Sequence, residues 1–212
     1  STGAAYLRLA NFSANAGALD LYVDGDAGST NSEAMEFGEV TNWLGVGAGA
    51  HNLAIVPAGL DQSQALEGPV DFNVPNGDWV TLAVIGSAQS GSIHAHEINE
   101  DYRPVRSGMG RLTFFYAVED SRPINILSNQ ATTYLQLSYP GMAGNNDGVY
   151  ATGVREDVYH FEFVYSRSTD VVIAEARDVN VLAAYNYLIV VAGPVNEPEV
   201  IVVPTDMRPF AG

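Results

Sequence analysis

The sequence predicts an all-β fold, built as two consecutive β-sandwich domains of about seven strands each. Three observations carry that prediction. Short segments rich in β-branched and aromatic residues run through the whole chain, and several alternate apolar and polar residues with period two. Turn chemistry separates them, at Asp24-Gly25, Ala58-Gly59, Asn76-Gly77 and Asp147-Gly148. The segments then recur in the same order at a shift near 105 residues.

Taken in order, YLRLANF from Tyr6 opens the first half and aligns with RLTFFYA from Arg111, a shift of 105. Alternation puts Leu7 and Leu9 on the core face, matched by Leu112 and Phe114. In ALDLYV the core residues are Leu19, Leu21 and Val23, matched by Ile124, Ile126 and Ser128. EVTNWLG is the one segment expected to make a turn of helix. HNLAIVP follows, and His51, Leu53, Ile55 and Pro57 stand where the second half has Tyr159, Phe161, Phe163 and Tyr165, a shift of 108. Such an aromatic stripe could stack on sugars, but its match to core positions predicts packing. PVDFNV comes next. VTLAVIG and LIVVAG end on Gly86 and Gly193, a shift of 107. IHAHEI closes the first domain, with EVIVVP as its counterpart. The boundaries follow as residues 1–105 and 106–212.

Composition narrows the function. The net charge is −16, lysine is absent and all nine positive charges are arginines. Such a surface repels phosphate backbones and anionic membranes, so no nucleic-acid partner is expected. No apolar run approaches the ~18 residues of a membrane span, so no membrane insertion is expected. Cysteine is absent, which excludes disulfides, thiolate metal sites and cysteine nucleophiles. The first residue is Ser1, as expected of a mature N-terminus left after processing or of a boundary cut.

Catalytic signatures are missing as well. There is no Gly-x-Ser-x-Gly elbow and no lysine for Schiff-base chemistry. No enzyme activity, catalytic residue, metal or cofactor is expected. His94 and His96 would share one strand face about 7 Å apart. They would need a third ligand, and Glu100 reaches only if the strand has ended. His51 and His160 fall on opposite faces of equivalent strands. DGDAGSTNSEAMEFGE begins like a calcium loop at Asp24 and Asp26, then fails. Ser29 stands where glycine is needed, and Met35 stands where a bidentate glutamate is needed. The Asn11-Phe12-Ser13 sequon lies in a strand and reads as accidental.

The junction holds a sharper signal. EDYRP at 100–104 returns as TDMRP at 205–209. Asp101, Arg103 and Pro104 are thus matched by Asp206, Arg208 and Pro209, with each aspartate placed to pair with its arginine if the strand continues. The Arg-Pro step is stiff. Because both copies of this motif fall at linker-equivalent points, head-to-tail self-assembly into a filament or surface layer is expected. The other partner considered is a glycan, with Trp43 and Trp79 as the aromatic candidates.

Two stretches carry a resemblance: YLRLANFSANAGALDLYVDG, and FGEVTNWLGVGAGAHNLAIVPAG with DWVTLAVIGSA. The chain resembles a domain-of-unknown-function family of secreted and cell-surface bacterial repeats. The pattern falls on Ser13, Asn15, Asp20, Tyr22, Asp24, Gly25, Gly38, Gly49, Asn52, Pro57, Ala58, Gly59, Asp78 and Gly86. The second half keeps Asp120, Ile124, Ile126 and Gly193, while Asn125 replaces the strand aspartate. The resemblance implies immunoglobulin-like or transthyretin-like sandwiches outside the cytoplasm. It supplies no catalytic residues.

Overall fold

A computed structural model describes residues 3–25, 34–142 and 147–210. Strands dominate, and no helix is long and apolar enough to cross a membrane among the described residues. The chain divides into residues 1–101 and 102–212. The boundary expected at 105/106 therefore falls four residues earlier. Tyr102 goes with the second unit because its hydroxyl meets Asn186 Nδ2 at 3.4 Å and its ring meets Phe210 edge-on.

The first unit contains β1 (Ala4–Asn11), β2 (Leu19–Val23), β3 (Leu44–Gly47), β4 (Gly49–Pro57), β5 (Glu67–Val74), β6 (Trp79–Ile85) and β7 (His94–Glu100). They form one sheet in the order β3-β1-β6-β7 and another in the order β2-β4-β5. The second unit contains β8 (Met109–Ala117), β9 (Ile124–Ser128), β10 (Ala131–Leu137), β11 (Val149–Arg155), β12 (Asp157–Tyr165), β13 (Ser168–Val181), β14 (Tyr185–Ala192) and β15 (Glu199–Asp206). Its sheets run β11-β8-β14-β15 and β10-β9-β12-β13. In an immunoglobulin sandwich the first two strands share a sheet. Here they lie in opposite sheets, and the first strand pairs in parallel with the next-to-last, β1 with β6 and β8 with β14. Of the two sandwich types that the resemblance implies, this order departs from the immunoglobulin one.

Several ladder pairs recur at equivalent positions in the two units. Leu7 faces Val80 and Leu112 faces Tyr187; Leu21 faces Ile55 and Ile126 faces Phe163. His94 faces Ile85 and Glu199 faces Ala192. These pairs reproduce the sequence shifts of 105, 107 and 108. The unit cores are the inward residues of both sheets. Leu7, Leu9, Leu21, Leu53, Ile55 and Leu82 fill the first. Leu112, Phe114, Ile126, Phe161, Phe163 and Ile189 fill the second. Each such side chain stabilises by roughly 1.5–3 kcal/mol on burial. Phe161 and Phe163 are buried while Tyr159 and Tyr165 flank them half-buried, so the aromatic stripe is packing.

Two local readings change. EVTNWLG is extended rather than helical: Val40 bridges Ala10, Thr41 Oγ1 accepts from the Leu9 N–H, and Leu44 begins β3. Pairing with β1 outweighs the local helical preference. The second unit also has an eighth strand, β10. Its partner pair Leu137–Ile124 corresponds to a single bridge in the first unit, Met35–Leu19.

The strand directions fix where the chain enters and leaves each unit. Tyr6 near the start of β1 sits beside Trp79, which sits beside Glu100 at the end of β7. Arg111, Asn186 and Thr205 form the same row in the second unit. Chain inlet and outlet therefore share one end of each unit.

Candidate functional site

The junction residues lie at that shared end. β15 stops at Asp206 and a turn of 3-10 helix follows at Arg208–Phe210. Arg208 and Asp206 pair, with Nε to Oδ1 at 2.8 Å and Nη2 to Oδ2 at 2.5 Å. The expected pairing through a continued strand is replaced by pairing through this turn, because Asp206 Oδ1 also accepts the Arg208 N–H. The arginine lowers the Asp206 pKa from the ordinary carboxylate value. Arg103 contributes its carbonyl, which accepts from Arg111 Nη1 at 2.9 Å; the same nitrogen reaches Met207 Sδ at 3.6 Å. Pro104 and Pro209 are exposed, and Asp101 is half-buried at the end of the first unit. Within the second unit these contacts hold the turn after β15 and the segment before β8.

His94 and His96 lie on β7 facing away from the core. His94 Nδ1 donates to the Ser92 carbonyl at 2.7 Å. The strand runs through Glu100, which is 3 % exposed and committed elsewhere. Its Oε2 accepts from Arg8 Nη2 at 2.7 Å and from Thr81 Oγ1 at 2.5 Å. Arg8 Nε also donates to Thr81 Oγ1, and the guanidinium lies 4.4 Å from the Trp43 ring centre. Trp43 meets Trp79 edge-on, and Trp79 stacks on Tyr6 at 3.8 Å. Both glycan candidates are therefore engaged in one aromatic and cationic cluster.

Asp26 lies outside the described residues. Asp24 has φ 52° and grips the start of β4. Its Oδ1 accepts from the Asn52 N–H at 3.0 Å, and its Oδ2 meets His51 Nδ1 at 2.7 Å. His51 Nε2 faces the Gly47 carbonyl at 2.8 Å. Both ring nitrogens thus face acceptors, which favours the charged imidazolium. Burial opposes that charge, but the Asp24 and Gly47 contacts outweigh it and raise the His51 pKa; the His51 bond lowers that of Asp24. In the second unit Asn129 (φ 48°) does the same backbone work for His160, with bonds of 2.9 Å in each direction.

Beyond Asn129 lies a constellation that the sequence pattern did not assemble. His160 and Glu162 project from β12 on the face away from the core, and Glu175 faces Glu162 across the ladder from β13. His160 Nε2 lies 3.2 Å from Glu175 Oε2. Arg177 clasps Glu175 with contacts of 2.8–2.9 Å, lowering its pKa. A cavity of about 480 Å³ opens here, lined by Asn129, Gln130, His160, Glu162 and Arg177. The His-x-Glu alternation was readable. The rung of Glu175 was not, because register shifts interrupt the β12–β13 ladder on both sides of it.

Comparison with known proteins adds a family. The family described as Domain of unknown function (DUF4397) matches residues 5–127, more than half of the chain. No curated protein matches the chain. Among solved structures, a leucine-rich repeat protein from Bacteroides thetaiotaomicron VPI-5482 aligns at 12 % identity and TM-score 0.22, over 94 % of this chain and 27 % of that one. A structure described as "Alpha-glucan binding by a streptococcal virulence factor" aligns at 12 % and 0.29, over 93 % and 96 %. The Bacillus anthracis TIE protein aligns at 13 % and 0.26, over 93 % and 34 %. The chain thus spans about a third or less of the Bacteroides and Bacillus chains. Superpositions this loose carry no functional assignment.

Proposed function

Because the chain belongs to the DUF4397 family of domains of unknown function, we propose its role from its own surface: it is a non-enzymatic structural or adhesive module, working outside the cytoplasm, that self-associates head to tail. One observation carries this reading. The sheet β10-β9-β12-β13 leaves apolar side chains exposed on both of its edge strands. Leu135 on β10 is 60 % exposed, and Val171 and Val172 on β13 are 44 % and 47 % exposed. Edge strands invite strand addition; register shifts interrupt both of these edges, so the exposed apolar side chains, rather than a regular ladder, carry the contact.

Opposite edges of one sheet make the contact heterologous. A copy that lays its β10 along a neighbour's β13 presents a new β13, so the array propagates instead of closing. On this reading the joint is at the sheet edges. The repeated Asp-x-Arg-Pro motif is not needed for it: Asp206 and Arg208 pair with each other within the second unit.

The test is sedimentation velocity with negative-stain microscopy over a range of concentration and salt. Large species should appear in wild type and disperse in Val172→Lys or Leu135→Lys. A monodisperse 22.6 kDa monomer under every condition, and in native extracts, would overturn the reading. Antibody fractionation of intact cells tests the location independently.

A further inference from the structure

We propose that His160, Glu162 and Glu175 form a binding site for a divalent transition-metal ion of the zinc type. The site lies wholly in the second unit and does not depend on self-association. His160 and Glu162 stand two apart on a strand, so they share a face. Glu175 is the direct ladder partner of Glu162. Together they bring one imidazole nitrogen and two carboxylate oxygens within 4.8 Å of one another. Ligands held about 2.0 Å from a tetrahedral ion lie roughly 3.3 Å apart. The His160–Glu175 separation of 3.2 Å already has that spacing.

Electrostatics points the same way. Like charges directly opposite on a sheet repel, and Glu162 and Glu175 are such a pair. Arg177 supplies one positive charge, which it gives to Glu175 through hydrogen bonds and to Glu162 more weakly through space. It is 67 % exposed, so it can swing away at little cost. A dication would neutralise both carboxylates at once. The imidazole selects the ion class: calcium and magnesium take oxygen ligands, whereas zinc and its neighbours accept nitrogen with carboxylate. Asn129 bonds the His160 peptide on both sides, which anchors the backbone carrying the nitrogen ligand. Three protein ligands leave a coordination position on the cavity side, open to water or a small ligand. The first unit has Asn52 and Ala54 at the positions matching His160 and Glu162, so the donor set belongs to the second unit alone.

The experiment is calorimetric titration of zinc chloride into the chelator-treated full chain in a non-coordinating buffer. Wild type should show one saturable ion per chain, with calcium giving no matching heat. His160→Ala and Glu162→Gln should abolish it with unchanged circular dichroism. Arg177→Ala should tighten it severalfold, because the guanidinium competes for Glu175. Absence of saturable heat in wild type would overturn the proposal. So would a site that survives His160→Ala, or an Arg177→Ala variant that binds no more tightly.

Discussion

At the scale of single residues, the first unit depends on a buried ion pair. Arg8 and Glu100 are 2 % and 0 % exposed at their side chains, and Thr81 bonds both. Removing one partner strands the other charge away from water. Arg8→Ala should therefore cost about 3–5 kcal/mol of unfolding free energy in a denaturant titration. Replacing both, as Arg8→Met with Glu100→Leu, should recover much of that loss. The exposed His51–Asp24 pair makes a different prediction. The His51 pKa is raised above 6.5, so its contribution is full below 6.5 and fades as pH rises through the folded value. The Asp24 pKa is lowered from 3.8, so its contribution is full above 3.8 and fades as pH falls through the folded value. The Asp24 contact with β4 is thus strongest between those limits. Proton NMR should place the His51 midpoint above 6.5, and Asp24→Asn should bring it down.

At the scale of elements, alternation was enough to place the core. Leu7, Leu21, Ile126 and Phe163 all face inward where period two puts them. Phe163→Ala should cost about 3–5 kcal/mol by thermal or denaturant unfolding. Punctuation was legible too. Gly86 has φ 93° at the end of β6, and a Cβ there would run into the Ser92 carbonyl. Gly86→Ala should accordingly lower the melting temperature, whereas alanine at Gly45, which has open space, should not. Three strands were not legible in the sequence. β3 is the glycine-rich LGVG, β11 is the weakly patterned VYATGVR, and β10 carries two register shifts that blur its alternation. The candidate metal cluster was hidden for a related reason. Bulges displace β13 against β12, and no local pattern reports how far.

At the scale of the whole molecule, charge bears on the proposed association. With net −16, copies repel one another at low ionic strength, and the repulsion fades within a Debye length of about 10 Å at 0.1 M salt. Light scattering should therefore rise with salt, and rise again as pH falls toward the isoelectric point near 4.3. The two tandem halves and the succession of strand segments along the chain were legible because equivalent positions keep their punctuation through low identity. The edges proposed for self-association were not, since they depend on which strands end up at the side of a sheet. The shared end for inlet and outlet has a mechanical meaning. In each unit the first and last strands flank the next-to-last at the end where the chain arrives and departs. Tension applied through the chain would load the terminal rung across the strands, not along them. Rungs would then open in succession like a zipper, at low force. A string of such units under load would act as a row of yielding fuses, not as a stiff cable.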